Sequence, residues 1–219
     1  MGFSLGNNVL HPLESRVQDI AEMPLPKTKK QLRSFMGTVN FYNKFIPNFS
    51  SIAAPITNLL KKGNRNVLEW SEEQISCFNK LKSSRTADPI LILPDINKTF
   101  FLRTDASCEG MGAVLLQELN DILRPVSYGS KKFSEAEKRY SCIERECYAI
   151  VWAIQRFKEY LLGREFILQT DHLPLAYLRN MKNKNDRLMR WALSLQPFSF
   201  SVQYLKGSDN IGADMLSRC

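Results

Sequence analysis

Histidine is almost missing from this sequence: His11 and His172 are the only two in 219 residues. A zinc centre built on imidazole is therefore not expected. The five cysteines, Cys77, Cys108, Cys142, Cys147 and Cys219, are odd in number and contain no CxxC pair. That points away from a disulfide framework or a cysteine zinc site, and a reducing, intracellular compartment fits better than secretion. No apolar run approaches the ~20 residues that span a bilayer, and no signal segment opens the chain, so no membrane partner is expected. Acidic residues are outnumbered, 22 against 30 Lys and Arg, for a net charge of +8 and a pI of about 9.3. Such a balance favours a polyanionic partner, nucleic acid first, although many intracellular domains are mildly basic without one.

Along the chain, Met1 to Gly6 reads as a strand and turn, and Leu10 to Ile20 as a short helical pattern with Pro12 near its first turn. Lys27 to Phe45 has apolar residues at helical spacing (Leu32, Phe35, Met36, Val39, Tyr42, Phe45), with Thr28 as a candidate N-cap. Lys27, Lys29, Lys30 and Arg33 crowd its first turn, the end where a helix dipole prefers anions. They face either solvent or an external anion such as a phosphate. Ser50 to Leu60 and Trp70 to Leu81 predict two more helices, the latter opened by a Ser71/Gln74 capping box. Pro89 to Leu93 is a short strand-like run, and a domain boundary is expected near Pro94-Asp95.

Beyond it the pattern changes. Phe100 to Thr104, Gly112 to Leu119 and Arg124 to Phe133 predict three strands joined by tight turns. Ser134 to Leu162 predicts one long helix, with a Ser134/Glu137 capping box and Gly163 as its stop. Glu165 to Thr170 and Phe198 to Lys206 predict two further strands, with helices at Leu173 to Arg179 and around Ala213 to Arg218.

Four acids stand out against this pattern. Asp105 ends an apolar strand, and Glu146 interrupts the apolar stripe of the long helix. Asp171 follows the Glu165 strand, and Asp214 lies in the last helix. Singly, each has an ordinary reading: a turn residue for Asp105, an N-cap for Asp171, a solvated helix position for Asp214. Four carboxylates in one place would need neutralising, and such hard oxygen ligands suit Mg²⁺ or Mn²⁺. Two such ions can activate a water and stabilise the leaving oxygen of a phosphodiester.

TDASCEGMGAVLLQ, YSCIERECYAIVWAIQRFKEYLLG, FILQTDHLPL and RLMRWALSLQPFSFSVQYLKGSDNIGADMLSR together resemble the ribonuclease H domain of gypsy-type long-terminal-repeat retrotransposon polyproteins. LPKTKKQLRSFMGTVNFYNKFIPNFSSIAAPITNLLKKG resembles the thumb and connection segment that precedes it there. The resemblance implies an α/β (α+β) ribonuclease H-like fold, a mixed five-stranded sheet flanked by helices, preceded by a small helical thumb-like unit. It divides the chain into a palm remnant (1–24), a thumb/connection-like unit (25–88) and a ribonuclease H-like domain (89–219).

Carried over, Asp105 would bridge two Mg²⁺ or Mn²⁺ ions, Glu146 would bind one, Asp171 would hold the ion that activates water, and Asp214 would complete the second site. The implied reaction is hydrolysis of the RNA strand of an RNA–DNA hybrid. Lys27, Lys29, Lys30, Arg33, Arg179, Lys182, Lys184, Arg187 and Arg190 would lie along backbone phosphates, which positions without reading sequence. The implied partners are the hybrid and the rest of a Pol polyprotein, its polymerase palm and integrase, in a cytoplasmic particle or the nucleus. Two departures bear on activity. No histidine lies between Phe198 and Asp214, where many ribonucleases H carry a mobile one. No Asp-Asp pair of the palm type occurs, so DNA synthesis is not expected. The alternative to the enzyme is a relic or domesticated module that binds nucleic acid, or a protein partner, without cutting.

Overall fold

The computed structural model describes residues 3–6, 9–46, 49–61, 63–83, 91–170 and 186–205. The expected helices at Leu173 to Arg179 and around Ala213 to Arg218 lie outside them.

Strands β1 (Phe3–Gly6), β2 (Val9–Pro12) and β3 (Leu91–Ile92) form a small antiparallel sheet in the order β1-β2-β3. The helix expected from Leu10 thus starts only at α1 (Glu14–Ala21), because Val9–Pro12 pairs on both sides as a strand. Then come α2 (Lys29–Phe41), a 3-10 turn (Asn43–Phe45), α3 (Phe49–Asn58) and α4 (Glu72–Ser83). Thr28 caps α2 as expected: its hydroxyl accepts from the Gln31 amide at 3.3 Å, and Gln31 Oε1 accepts from the Thr28 amide at 3.2 Å. Leu32, Phe35, Val39, Ile56, Phe78 and Leu81 close the core of this helical unit. Ile75, three residues before the buried Phe78, is 36% exposed.

The main sheet has five strands: β4 (Phe100–Ala106), β5 (Gly110–Leu119), β6 (Ile122–Lys132), β7 (Glu165–Thr170) and β8 (Ser199–Tyr204). Their order is β6-β5-β4-β7-β8. The first three pair antiparallel and the last three parallel, so the sheet is mixed, as expected. Asn120 and Asp121 make the β5–β6 turn with φ of 54° and 61°, the left-handed region that a two-residue hairpin favours and Asn and Asp tolerate.

The long helix is shorter than its pattern suggests. The Ser134/Glu137 box forms but caps only a 3-10 turn (Glu137–Arg139). Tyr140 then takes an extended backbone, and a second box, Ser141/Glu144, opens α5 (Cys142–Arg156). The helix breaks at Phe157 before α6 (Lys158–Leu161), and Gly163 stops it at φ 74°. Cys147, Ile150, Ala153 and Ile154 of α5 pack on Phe100, Leu102, Leu115, Phe166 and Leu168 of the sheet. Ile143, in the first turn of α5, is 42% exposed. Helix α7 (Asp186–Leu195) adds Leu188 and Leu195 to this core.

Tyr128 of β6 packs on the helical unit's core, while β3 gives Leu91 to that core and Ile92 to the sheet's. The two cores therefore meet along β6 and β3.

Candidate active site at one end of the sheet

Because β4, β7 and β8 run parallel, their C-terminal ends lie at one end of the sheet. The Leu205 amide donates to the Thr170 carbonyl there at 3.0 Å. Asp105, next to last in β4, is 7% exposed and sits opposite Gly112 of β5. Glu146 is 4% exposed and one helical turn before Ala149 and Ile150, both in the buried core. Arg145 Nη1 donates to the Ser107 carbonyl at 3.2 Å, which brings the first turn of α5 to the end of β4. The two buried acids therefore share one end of the sheet. Asp171, the residue after Thr170 in the sequence, and Asp214 both lie outside the described residues. Among the described residues no group of three or more His, Cys, Asp and Glu is placed to hold a metal.

The turn after Asp105 is internally braced. The Ser107 hydroxyl accepts from the amides of Glu109 and Gly110, each at 3.1 Å, and the Ser107 amide donates to the Gly110 carbonyl at 2.9 Å. Lys138 reaches Glu109 at 2.5 Å, and that hydrogen bond holds the Glu109 carboxyl below its usual range. A side chain at Gly110 would place its Cβ 2.8 Å from the Lys131 carbonyl oxygen, so the hairpin closes only on glycine.

Around Glu146 the environment is chosen by α5. Burial first, then the charges of Glu146 and Glu144, push the Cys147 thiol up to about 12, so it stays protonated and is a packing group rather than a nucleophile. Glu144 both caps the helix and pairs with Arg187 of α7 at 3.1 Å. The Arg187 guanidinium lies 4.2 Å over the Tyr140 ring, and Tyr148 stacks on Trp191 with centroids 5.3 Å apart. Across the sheet, Arg103 Nε donates to Gln169 at 2.7 Å and Gln169 donates to Gln203 at 2.7 Å, a polar rung over β4, β7 and β8. Arg145 and this rung carried no signal in the sequence, since each is one polar residue at an ordinary position.

The expected phosphate-binding cations divide into three groups. Lys27, Lys30 and Arg33 are exposed at the start of α2. Lys29, Arg187 and the exposed Arg190 have partners within the chain: Lys29 Nζ donates to the carbonyls of Lys61 at 3.0 Å and Asn64 at 2.8 Å, Arg187 holds Glu144, and Arg190 Nε donates to the Asp186 carbonyl at 3.2 Å. Arg179, Lys182 and Lys184 lie outside the described residues. Two buried carboxylates at the same end of the sheet, with a neighbouring thiol kept neutral, offer oxygen donors of the kind that suit a hard divalent cation such as Mg²⁺ or Mn²⁺.

Residues 95–198 match the family described as "RNase H-like domain found in reverse transcriptase". The chain is 43% identical over 210 residues to the "Retrovirus-related Pol polyprotein from transposon 297" of Drosophila melanogaster, covering 95% of this chain and 19% of that protein. It is 35% identical over 223 residues to the "Transposon Tf2-3 polyprotein" of Schizosaccharomyces pombe, covering 100% of this chain and 17% of that protein. The chain thus spans about a fifth of the length of the curated relatives it matches. Among solved structures, the foamy viral protease-reverse transcriptase in complex with RNA/DNA hybrid superposes with a TM-score of 0.81 at 20% identity, over 94% of this chain and 29% of that one. The dRH form of that protein in complex with ds DNA gives 0.82 at 21% identity, over 94% and 37%. These two establish the fold.

Proposed function

We propose, from the match of residues 95–198 to the RNase H-like domain found in reverse transcriptase, that the protein is the ribonuclease H part of a retrotransposon Pol polyprotein, a divalent-metal-dependent endonuclease that hydrolyses the RNA strand of an RNA–DNA hybrid. The observation that carries this reading is the burial of Asp105 and Glu146 at one end of the sheet, where β4, β7 and β8 all finish. The sequence continues from β7 directly into Asp171, and from β8 toward Asp214 nine positions past Leu205.

Asp105 and Glu146 would hold the metal, with Asp171 and Asp214 completing two sites. When bound, two such ions supply an activated water and neutralise charge on the phosphodiester. Asp105 is placed by its pairing with Gly112 of β5, two residues past the last β4 residue paired with β7, so its backbone is held on one side. Burial of Glu146 among core side chains limits competing solvent around its oxygens. The exposed cations Lys27, Lys30, Arg33 and Arg190 would hold the hybrid by its backbone, and the 2′-hydroxyls mark the strand to be cut. The partners on this reading are the hybrid and the rest of a Pol polyprotein, within an intracellular compartment. Polymerisation is not assigned to this chain.

The test is cleavage of an end-labelled hybrid in Mg²⁺ or Mn²⁺ by the wild type, Asp105→Asn and Glu146→Gln. Metal-dependent cutting of the RNA strand by the wild type, lost in both variants, supports the enzyme. Salt-sensitive hybrid binding without cutting in either metal makes the chain a nucleic-acid-binding module instead.

A further inference from the structure

The turn after Asp105 is braced from within and also held from outside, the Phe133 amide donating to the Glu109 carbonyl at 2.9 Å. The Ser107 amide and hydroxyl are both used within Ser107–Gly110. The Ser107 carbonyl points outward and accepts from Arg145 Nη1 at 3.2 Å. Ser107 is two residues past Asp105, and Arg145 is the residue before Glu146. This bond therefore joins the backbone that carries one acid to the helical turn that carries the other. A second link, Lys138 to Glu109, leaves from the 3-10 turn before α5 and is more exposed than the acids. It ties the hairpin to the chain ahead of the helix, not to the turn of α5 that carries Glu146.

We infer that Arg145 is a positioning residue for the acidic site: its guanidinium on the Ser107 carbonyl sets the separation of Asp105 and Glu146 and thereby the affinity for a divalent cation. The inference rests on the metal-binding role proposed above. An arginine suits the task because it keeps its charge at every working pH and its planar head fixes the direction of the bond. Removing a group that orients metal ligands from behind typically costs about 10- to 100-fold in metal affinity. With both acids intact, a loss near the tenfold end is expected.

The experiment measures Mn²⁺ binding to the full chain without hybrid, by the paramagnetic resonance of free Mn²⁺, in the wild type, Asp105→Asn, Arg145→Met, Arg145→Gln and Arg145→Lys. Far-UV circular dichroism confirms which variants are folded. Arg145→Met and Arg145→Gln binding about tenfold more weakly than the wild type, with part of the loss recovered in Arg145→Lys, supports the positioning role. Gln is too short to reach Ser107 and serves if the Met variant does not fold. Wild-type affinity in the Met or Gln variant overturns the positioning role and leaves the enzyme reading standing. A wild type that binds no Mn²⁺, or one matched by Asp105→Asn, overturns the metal site itself and this role with it.

Discussion

Ser130 of β6 caps a helix from across the molecule. Its hydroxyl accepts from the amide of Ser50 at 2.9 Å, and the Ser50 hydroxyl donates to the Ser130 carbonyl at 2.7 Å. Ser50 is the second residue of α3, where an amide has no partner within its own helix. A strand of the five-stranded sheet thus supplies the N-cap of a helix in the preceding unit. Loss of a capping hydroxyl costs about 1 kcal/mol. Ser130→Ala is expected to lower the unfolding free energy by that much, read as a lower urea midpoint at unchanged slope. The pair Ser50→Ala and Ser130→Ala should be non-additive, because each removes part of the same contact. Additive effects would mean that the two serines act separately.

Glu137 is a tightly held carboxylate. Burial raises its pKa, but hydrogen bonds from Lys131, the Ser134 amide, Tyr148 and the Ser134 hydroxyl outweigh it and bring the value from 4.5 down to about 2. Lys131 Nζ and the Tyr148 hydroxyl each stand 2.7 Å from the same oxygen. A carboxyl whose folded pKa is depressed stabilises the fold above its unfolded value, and the gain is lost as pH falls through the folded one. The difference in stability between wild type and Glu137→Gln should therefore be full at neutral pH and shrink between about 4.5 and about 2. Urea midpoints stepped through that window measure it. A difference that stays constant would exclude titration of Glu137 as its source.

The fold was readable where one local rule decided the outcome. Strands β4 to β6 are separated by clear turn residues, and Thr28 and Ser71 mark helix starts that no neighbour disputes. The start of α5 was not readable, because two Ser-x-x-Glu boxes stand seven residues apart and helical spacing runs through both. Packing decides between them: Tyr140 lies between Trp191, at 5.9 Å, and the Arg187 guanidinium, and an extended backbone there ends the first turn. Asp105 and Glu146 could be picked out because a charge interrupting an apolar pattern must be compensated. Lys29 could not be sorted from its neighbours, since the carbonyls it holds lie 32 and 35 positions away.

Two glycines should respond in opposite directions to the same change. Gly37 lies in α2, and a Cβ there would meet nothing within 4 Å, so Gly37→Ala removes only the entropy cost of glycine in a helix. A gain of about 0.5–1 kcal/mol is expected. Gly110→Ala would set its Cβ 2.8 Å from the Lys131 carbonyl and 3.4 Å from the Lys132 Cα, both backbone, and the hairpin must shift. A loss of about 1–3 kcal/mol is expected. At about 2–4 °C per kcal/mol for a chain of this size, thermal unfolding separates the two. Equal melting temperatures would show that the β5–β6 pair gives way without strain.

Cysteine labelling reads the opening of the site directly. Cys108, in the turn after Asp105, and Cys142, at the start of α5, are exposed, whereas Cys147 has no exposed surface beneath α5. A thiol reagent in mildly alkaline buffer should modify Cys108 and Cys142 at once, and Cys147 only when α5 lifts from the sheet. Glu146 is the residue before Cys147, so the same lifting separates Glu146 from Asp105. On the metal-binding role proposed for the two acids, a divalent cation held between them would bind only the closed form. At a hundred times its dissociation constant it stabilises that form by about 2.7 kcal/mol, a roughly hundredfold suppression of opening. Mn²⁺ should therefore slow labelling of Cys147 by about that factor and leave Cys108 and Cys142 nearly unchanged, as followed by mass spectrometry of the modified peptides in a Cys219→Ser background. In Asp105→Asn the protection should vanish. Protection of Cys147 that survives in Asp105→Asn would place the cation elsewhere and separate α5 opening from the acidic site.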